Sequence, residues 1–300
     1  MNIQKPTVLV LGATGTIGKQ VVRELEANGT VNVRIPSRNL DTVAKLKSEG
    51  KDAVYLDLDK PQTFALALAG VERVFLLTGY TVAMLAQSKT LVDAAKKAGV
   101  KHIVHIGIFA EWDCTSTHFT WHQLIETYIE ASGIAWTHIH PNMFMEAITG
   151  LYMPKNLSYT TYFDDRRIGL VASSDIAAVS AKVLIDGQDK HAGQNYWLSV
   201  ESYNGKEIVA MMNEITGLNI TLEHKNLDDF RAMIDVPDFP IESQYARANI
   251  EFVTQVLDNR LGSIGAIRND IPYVLGRPAK TLREHLLEHK DAIIQSATQS

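Results

Sequence analysis

The chain has one cysteine, Cys114, among its 300 residues. A single thiol cannot form an internal disulfide, which favours a reducing compartment. The amino-terminal residues show no signal-peptide pattern, and no apolar run approaches the roughly 20 residues that span a bilayer. We therefore expect a cytoplasmic protein without membrane contact.

The sequence also lacks an excess of basic residues. It has 29 Lys and Arg against 34 Asp and Glu, a formal net charge of −5, and no basic run interleaved with aromatic residues. Direct binding to nucleic acid is therefore not expected. No cysteine cluster or H-E-x-x-H motif accompanies the six histidines between residues 102 and 140, so we expect these histidines to be packed or hydrogen-bonded and predict no metal.

A glycine-rich turn follows the apolar run Thr7–Leu11 and precedes a helical pattern. This order of strand, turn and helix is what a dinucleotide pyrophosphate requires, because glycines allow the sharp turn and the close approach of phosphate to the first helical amides. A plain tight turn is the alternative. The residues predicted to contact a cofactor here are Gly12, Thr14, Gly15, Thr16, Ile17 and Gly18.

The glycine spacing G-x-x-G-x-x-G near the start of a chain of this length resembles the extended and atypical short-chain dehydrogenase/reductases, and within them the NmrA-like family. The resemblance runs from Val8 to about Leu198. It implies a nicotinamide cofactor and a doubly wound sheet.

The residue pattern independently predicts an α/β fold. Six short β-rich runs alternate with helical patterns up to Ile139, which is typical of a doubly wound parallel Rossmann sheet. The clearest helix is Phe119–Ala131, with an apolar face predicted at Trp121, Leu124, Ile125, Tyr128 and Ile129. We expect a cofactor domain over residues 1–150. Residues 151–300 are expected to form a smaller, mostly helical substrate region, partly interleaved with the first, with helices over Gly205–Thr216 and Leu282–Gln295.

The end of the second strand favours NADPH. The segment Ser37-Arg38-Asn39 has no acid to bind a ribose 2′-hydroxyl, whereas Arg38 can bind a 2′-phosphate bidentately, with Ser37 and Asn39 as further donors. Arg34, earlier on the same strand, is a further candidate for this basic patch. A surface arginine in a polar turn is the alternative.

Two further strand ends carry cofactor candidates. The resemblance implies that Asp57 and Leu58 contact the adenine, although Asp57 also fits a turn residue that caps the next helix. Thr78 and Gly79 lie at the carboxyl edge where open α/β sheets bind ligands. Tyr80 is the next residue and a predicted substrate contact, with simple packing as its alternative.

The helix after strand five departs from the superfamily pattern, in which a Tyr-x-x-x-Lys pair supplies the acid and holds the ribose. This chain has His118 and His122 there, followed by Glu126. The resemblance to NmrA-like quinone and dye reductases implies direct hydride transfer, with His122 as the catalytic candidate that contacts the ribose or protonates a quinone oxygen. A structural histidine is the alternative.

The run after strand six is His140-Pro141-Asn142-Met143-Phe144-Met145-Glu146, similar to a family run that begins with Arg. The resemblance places Pro141, Asn142 and Met143 beside the nicotinamide. Phe144 would contact a flat acceptor, and core packing is an equal alternative.

Together these observations predict an NADPH-dependent reductase of a small quinone-like or conjugated aromatic acceptor. One rival is a regulator that binds the dinucleotide and signals its redox state to a protein partner without turnover. Another is an isomerase or epimerase with tightly held NAD, which the missing Tyr and the presence of Arg38 disfavour. The sequence is also compatible with a homodimer.

Overall fold

The computed structural model describes residues 5–237, 239 and 241–299. The first four residues, part of the segment on which the expectation of no signal peptide rests, lie outside this range. The strands are β1 Thr7–Val10, β2 Asn32–Ser37, β3 Asp52–Tyr55, β4 Arg73–Leu76, β5 His102–Ile106, β6 Ala135–Pro141, β7 Met143–Phe144, β8 Ser158–Thr161, β9 Ile168–Val171, β10 Gln194–Ser199, β11 Glu201–Tyr203, β12 Thr221–His224 and β13 Arg268–Asn269.

The main sheet has eight strands in the order β13-β10-β6-β5-β4-β1-β2-β3. All neighbours are parallel except β13, which runs antiparallel to β10. The order reverses direction between β1 and β4, and in such sheets ligands bind outside the carboxyl ends of the strands at this reversal. The predicted doubly wound parallel sheet is confirmed.

Helices cover both faces of the main sheet and form a further layer beyond it. They are α1 Thr16–Asn28, α2 Leu40–Ser48, α3 Phe64–Leu68, α4 Met84–Ala98, α5 Thr117–Ala131, α6 Met145–Ile148, α7 Ser173–Asp186, α8 Gln188–His191, α9 Gly205–Thr216, α10 Leu227–Ile234, α11 Ser243–Leu257, α12 Ile271–Leu275, α13 Leu282–Glu288 and α14 Lys290–Thr298.

The two faces of the sheet bury separate apolar cores. Helix α1 turns Ile17, Val21 and Leu25 toward the sheet, where they pack with α7 on one face. Helices α3, α4 and α5 pack on the other face around Phe64, Leu68 and Leu91. Strands buried on both faces favour Val and Ile, which explains the continuous apolar runs of the sequence.

The remaining strands form two smaller sheets. A three-stranded sheet has the order β11-β9-β7, and a two-stranded sheet pairs β12 with β8. Because β10 and α7 belong to the main layers, chain beyond residue 150 contributes to both regions, and the boundary at residue 150 stays a prediction. None of the helices in the described ranges has the length and apolar character needed to cross a bilayer.

Three sequence predictions need correction. The helix expected over Leu282–Gln295 is two helices, α13 and α14, which meet at His289. The helices α10 and α11 were not predicted. Leu124, expected on the apolar face of α5, is 59% exposed, while Ile125 and Ile129 are buried.

Candidate active site

The glycine turn connects β1 to α1 with the geometry that its spacing predicts. Gly12 has φ +65°, a left-handed value that favours glycine, and the Gly15 amide donates to the Gly12 carbonyl at 2.8 Å. A Cβ on Gly18 would lie 2.2 Å from that same carbonyl oxygen. Gly12 and Gly18 are thus required by the fold itself.

Gly15 differs from its two neighbours in the motif. It is exposed, has φ −86°, and an added Cβ would approach protein only at the Gly12 oxygen, at 3.3 Å. It stands at the N-cap of α1, which has no side-chain capping bond and no acidic residue in its first turn. The first turn of α1 therefore supplies no carboxylate of its own to its free amides, and the open surface at Gly15 fits a pyrophosphate.

The other predicted residues of the turn divide by burial. Thr14 and Thr16 are exposed beside Gly15, so their side chains are available to a ligand. Ile17 is enclosed in the core against α7, so only its backbone can face a ligand. Its predicted cofactor contact stays a prediction.

Arg38 lies exposed directly after β2. The residues around it have local roles, since Ser37 Oγ accepts from the Asn39 amide at 3.1 Å and Asn39 Oδ1 caps α2 by accepting from the Thr42 amide at 3.0 Å. Within the described ranges no carboxylate forms an ion pair with Arg38. Arg34 does not join it, because its guanidinium pairs with Asp52 at 2.9 Å.

Asp57 forms the turn that is the alternative to an adenine contact. Its carboxylate accepts from the Asp59 amide at 3.2 Å and pairs with Lys60 at 3.1 Å. These contacts, the Asp59 amide first, hold the pKa of Asp57 below its usual value. The carboxylate is therefore ionised and partly engaged, and its contact with adenine stays a prediction.

A narrow crevice brings together predicted residues from two strand ends. Leu58 and Thr78 both line it, together with Leu11, the residue before Gly12. Leu77 also lines the crevice, and its Cδ2 lies 2.9 Å from where a Cβ on Gly12 would stand. The ends of β1 and β4 thus meet where the strand order of the sheet reverses. Gly79 is the residue after Thr78.

Tyr80 is 58% exposed at the rim, and its ring packs against Tyr245 of α11 with centroids 5.5 Å apart. Helix α11 is held to the same rim, because Glu242, just before it, accepts from the Val82 amide at 2.7 Å. Sequence reasoning missed this helix. Its buried residues Tyr245, Val253 and Val256 follow a helical spacing that would have indicated it.

His118 is occupied by packing. Its ring lies among Phe119, Tyr245 and Phe252, at centroid distances of 4.6, 5.5 and 5.9 Å. Burial lowers its pKa to about 4. This histidine, which the sequence resemblance sets where a tyrosine is expected, therefore joins α5 to α11 as a neutral ring.

His122 lies one helical turn further along α5 and is 7% exposed. Its ring centroid is 6.2 Å from that of His105, whose strand neighbour is Leu76 at the end of β4. This register places His122 at the level of the strand ends that form the site. Burial first, then neighbouring histidines, lower its pKa to about 3, so His122 is a neutral imidazole at physiological pH.

The last residue of β6 and the residue after it are enclosed. Pro141 is buried, and Asn142 donates to Ser199 Oγ at 3.1 Å and to the Ile264 carbonyl at 2.8 Å. The backbone amide of Asn142 also donates a hydrogen bond to the Leu198 carbonyl at 3.0 Å. Asn142 therefore fastens β6 to its neighbours through its side chain, and its predicted place beside the nicotinamide stays a prediction.

Met143 and Phe144 are half-buried in β7. Phe144 packs against the core that contains Ile17, whereas Met143 lines a pocket with Tyr152, Tyr159 and Tyr162. Burial raises the pKa of Tyr152 to about 12, so that phenol stays protonated. The pocket beside Met143 is thus lined mainly by apolar and aromatic side chains, with Arg166 as its charged residue.

Comparison with known proteins adds a family and a fold. The family model described as NmrA-like family matches residues 4–261. A protein from Xenophilus azovorans named NAD(P)H azoreductase is 28% identical over 303 aligned positions, which cover 95% of this chain and 98% of that protein.

Two solved structures are similar over nearly their whole length. A nucleoside-diphosphate-sugar epimerase from Staphylococcus aureus has a TM-score of 0.81 at 24% identity, covering 94% of this chain and 99% of the other. Triphenylmethane reductase from Citrobacter sp. complexed with NADP(H) has a TM-score of 0.78 at 20% identity, covering 95% and 99%. At these identities the likeness shows the fold.

Proposed function

Because the chain belongs to the NmrA-like family, we propose that it is an NADPH-dependent reductase that transfers hydride to a quinone-like or conjugated aromatic acceptor. The likeness to a protein named NAD(P)H azoreductase, over 95% of this chain, supports an NAD(P)H-dependent oxidoreductase.

The observation that carries the proposal is the opening at Gly15. The fold requires glycine at positions 12 and 18, but Gly15 is exposed, with only one contact near its Cβ position. Its absent side chain leaves the N-terminus of α1 open to an anion, as a dinucleotide pyrophosphate needs. The crevice at Leu58 and Thr78 continues this surface along the carboxyl edge.

NADPH is favoured over NADH by Arg38. Its guanidinium is exposed after β2, at the place where the cofactor's 2′-substituent is read in this type of sheet. An arginine can bind phosphate through two parallel hydrogen bonds. No acidic residue stands in the segment Ser37-Arg38-Asn39 to accept from a 2′-hydroxyl.

The acceptor class is inferred from the residues beyond the strand ends. The bound nicotinamide supplies hydride, and the protein supplies position. Met143 offers a soft apolar surface beside a tyrosine-lined pocket, which suits a flat conjugated ring. With His118 and His122 neutral, the two histidines do not supply an imidazolium acid, which favours an acceptor that is already electrophilic.

The test is anaerobic oxidation of NADPH by purified protein with a panel of quinones, azo dyes and cationic triphenylmethane dyes. The Gly15→Val variant is the control, because it should neither bind nor oxidise NADPH. The reductase is supported if the wild type oxidises NADPH in the presence of an acceptor and Gly15→Val does not. Tight NADPH binding without turnover on any acceptor would instead favour the redox-sensing regulator.

A further inference from the structure

Two histidines and a glutamate meet where α13 ends and α14 begins. We call His285, Glu288 and His289 the helix-junction cluster. One ring nitrogen of each histidine and one carboxylate oxygen of Glu288 all lie within 4.8 Å of one another. The centroids of the two imidazole rings are 4.3 Å apart. Three groups that commonly bind metals therefore converge within a small volume.

Helical spacing brings the three side chains together. Glu288 and His289 follow His285 by three and four positions, and residues at these spacings are neighbours on a helix surface. Two histidines four positions apart on one helix face are a known arrangement for binding zinc. The helix that carries them is anchored, because Leu282 and Leu286 are fully buried.

Hydrogen bonds hold one nitrogen of each ring and leave the other free. His289 Nδ1 lies 2.8 Å from the His285 carbonyl oxygen, which can only accept, so Nδ1 carries the proton and Nε2 keeps its lone pair. His285 Nε2 lies 2.9 Å from the Thr149 hydroxyl, and His285 Nδ1 has no hydrogen bond within the described protein. Histidines that bind metals usually donate their other ring N–H to a neighbouring acceptor in this way, which fixes the ring.

The cluster is buried on one side and open on the other. His285 is 2% exposed, whereas His289 is half-buried and Glu288 is exposed. A cation can therefore reach the cluster from solvent past Glu288. Water at that open side can complete its coordination.

The charges around the cluster come from neighbouring segments. Lys280 Nζ bonds both carboxylate oxygens of Glu288, at 2.8 and 2.7 Å. Burial first, then the positive charges of His289 and Lys280, lower the pKa of His285, while the carboxylates of Glu146 and Glu288 oppose this shift. His285 is therefore neutral near pH 7, which is the form that binds a metal.

We propose that His285, Glu288 and His289 bind a divalent transition-metal cation, with zinc as the best match. Two imidazole nitrogens and one carboxylate oxygen are ligands that zinc accepts, with a fourth position for water. Magnesium and calcium prefer oxygen ligands and fit this set poorly. The expectation of no metal rests on the histidines between residues 102 and 140, and the helix-junction cluster lies outside that segment.

The cluster is joined to the wall of the tyrosine-lined pocket. Thr149, which bonds His285, follows Ile148, and Ile148 lines that pocket. Ile148 also shares an apolar core with Leu286 of α13 and Ile293 of α14. A cation at the junction would therefore stabilise the packing of both helices behind this wall, and it goes beyond the proposed reductase function.

The test is calorimetric titration of the untagged full chain with Zn²⁺, and wild type should bind one ion per chain. His289→Ala and Glu288→Gln each remove one ligand at a partly exposed position, so both should fold, which circular dichroism checks. Each should weaken Zn²⁺ binding by about 10-fold or more, because removing even a group that only orients a ligand costs roughly 10- to 100-fold.

Lys280→Met should have the opposite effect. It removes the ammonium that competes for the Glu288 carboxylate, so Zn²⁺ should bind several-fold more tightly. General damage to the fold would weaken binding, so a gain in affinity is specific to the site. The matched control is Arg283→Met, which removes a cation of α13 that pairs with Glu214 of α9 and should leave the affinity nearly unchanged.

His224→Ala tests the other cluster of this kind. Asp164, Asp165 and His224 also bring three potential ligand atoms within 4.8 Å of one another, and all three residues are exposed. The Asp165 carboxylate is paired with Lys206 at 2.9 Å. If the ion binds at the helix junction, His224→Ala should bind Zn²⁺ as tightly as wild type.

Thermal denaturation gives a second readout that needs neither NADPH nor an acceptor. Because an ion that binds the folded state stabilises it, the melting temperature of wild type should rise with Zn²⁺ and fall back when a chelator is added. The rise should be lost in His289→Ala and kept in His224→Ala.

The helix-junction site is supported if His289→Ala and Glu288→Gln lose affinity while Lys280→Met gains it. It is overturned if wild type binds no Zn²⁺, or if His289→Ala and Glu288→Gln bind it as tightly as wild type. Loss of binding in His224→Ala alone would place the ion at the exposed cluster and would also overturn it.

Discussion

Gly18 packs directly on the backbone of Gly12. A Cβ at residue 18 would lie 2.2 Å from the Gly12 oxygen and 2.5 Å from its carbonyl carbon. Both contacts are with backbone, which cannot rotate aside as a side chain can. The start of α1 therefore packs against the turn after β1 only because residue 18 has no side chain, and we expect cofactor binding to depend on that packing.

We expect Gly18→Ala to lower the free energy of unfolding by about 1–3 kcal/mol, the usual range for an overpacked interior. Urea denaturation of the wild type and of Gly18→Ala measures this difference in the free energy of unfolding. Gly79→Ala is the matched control, because its Cβ would meet only Thr81 Cγ2 at 3.6 Å, an ordinary contact. Equal stability of Gly18→Ala and wild type would contradict the packing described here.

Gly15→Val should fold and lose affinity for NADPH and NADH alike. The backbone at Gly15 has an ordinary φ of −86°, but a branched side chain would cover the open N-terminus of α1. Circular dichroism checks the fold, and calorimetry checks binding of each cofactor. Retained binding by the folded variant would show that the turn does not hold the pyrophosphate.

Arg38→Ala should weaken NADPH binding and leave NADH binding nearly unchanged. Loss of a charge-assisted contact to phosphate costs roughly 1.5–3 kcal/mol, which corresponds to about 10- to 150-fold in affinity. Calorimetric titration with both cofactors measures the difference. The control is Arg23→Ala, which removes an exposed arginine that lies on α1 instead of after β2. If both cofactors lose affinity equally in Arg38→Ala, the arginine does not read the 2′-phosphate.

The buried histidines should make the protein sensitive to acid. Burial lowers the pKa of His122 and His138 to about 3, and that of His105 well below its usual value. Between about pH 6.5 and pH 4 the unfolded chain therefore binds more protons than the folded one, so stability falls as the pH falls. Each such histidine contributes a slope of up to about 1.4 kcal/mol per pH unit.

His105→Leu tests the acid effect at one site. The imidazole has no hydrogen-bond partner within the described protein, so an apolar replacement leaves no polar group behind. We expect the slope of the free energy of unfolding against pH, between pH 6.5 and 4, to decrease by about the contribution of one bound proton. Urea unfolding at intervals across that range measures it. An unchanged slope would mean that His105 is protonated in the folded state.

Much of the fold could be predicted from the sequence because the signals are local. Alternating β-rich runs and helical patterns specify a parallel sheet, and the glycine turn between Leu11 and Ile17 is recognisable from spacing alone. The face of α5 was harder to predict, since Leu124 fits the apolar period but lies exposed. Periodicity describes one helix at a time and carries no information about where the neighbouring helix ends.

In the candidate site, too, some features follow from local sequence and others only from tertiary packing. Sequence motifs predicted where a dinucleotide would lie, because strand, turn and helix are contiguous in the chain. Only the tertiary structure placed Tyr245 of α11 against Tyr80, enclosed Asn142, and brought Glu126 of α5 beside His140 of β6. These contacts join residues far apart in sequence, and burial, which decides whether an ionisable group is charged, is a property of the packed molecule.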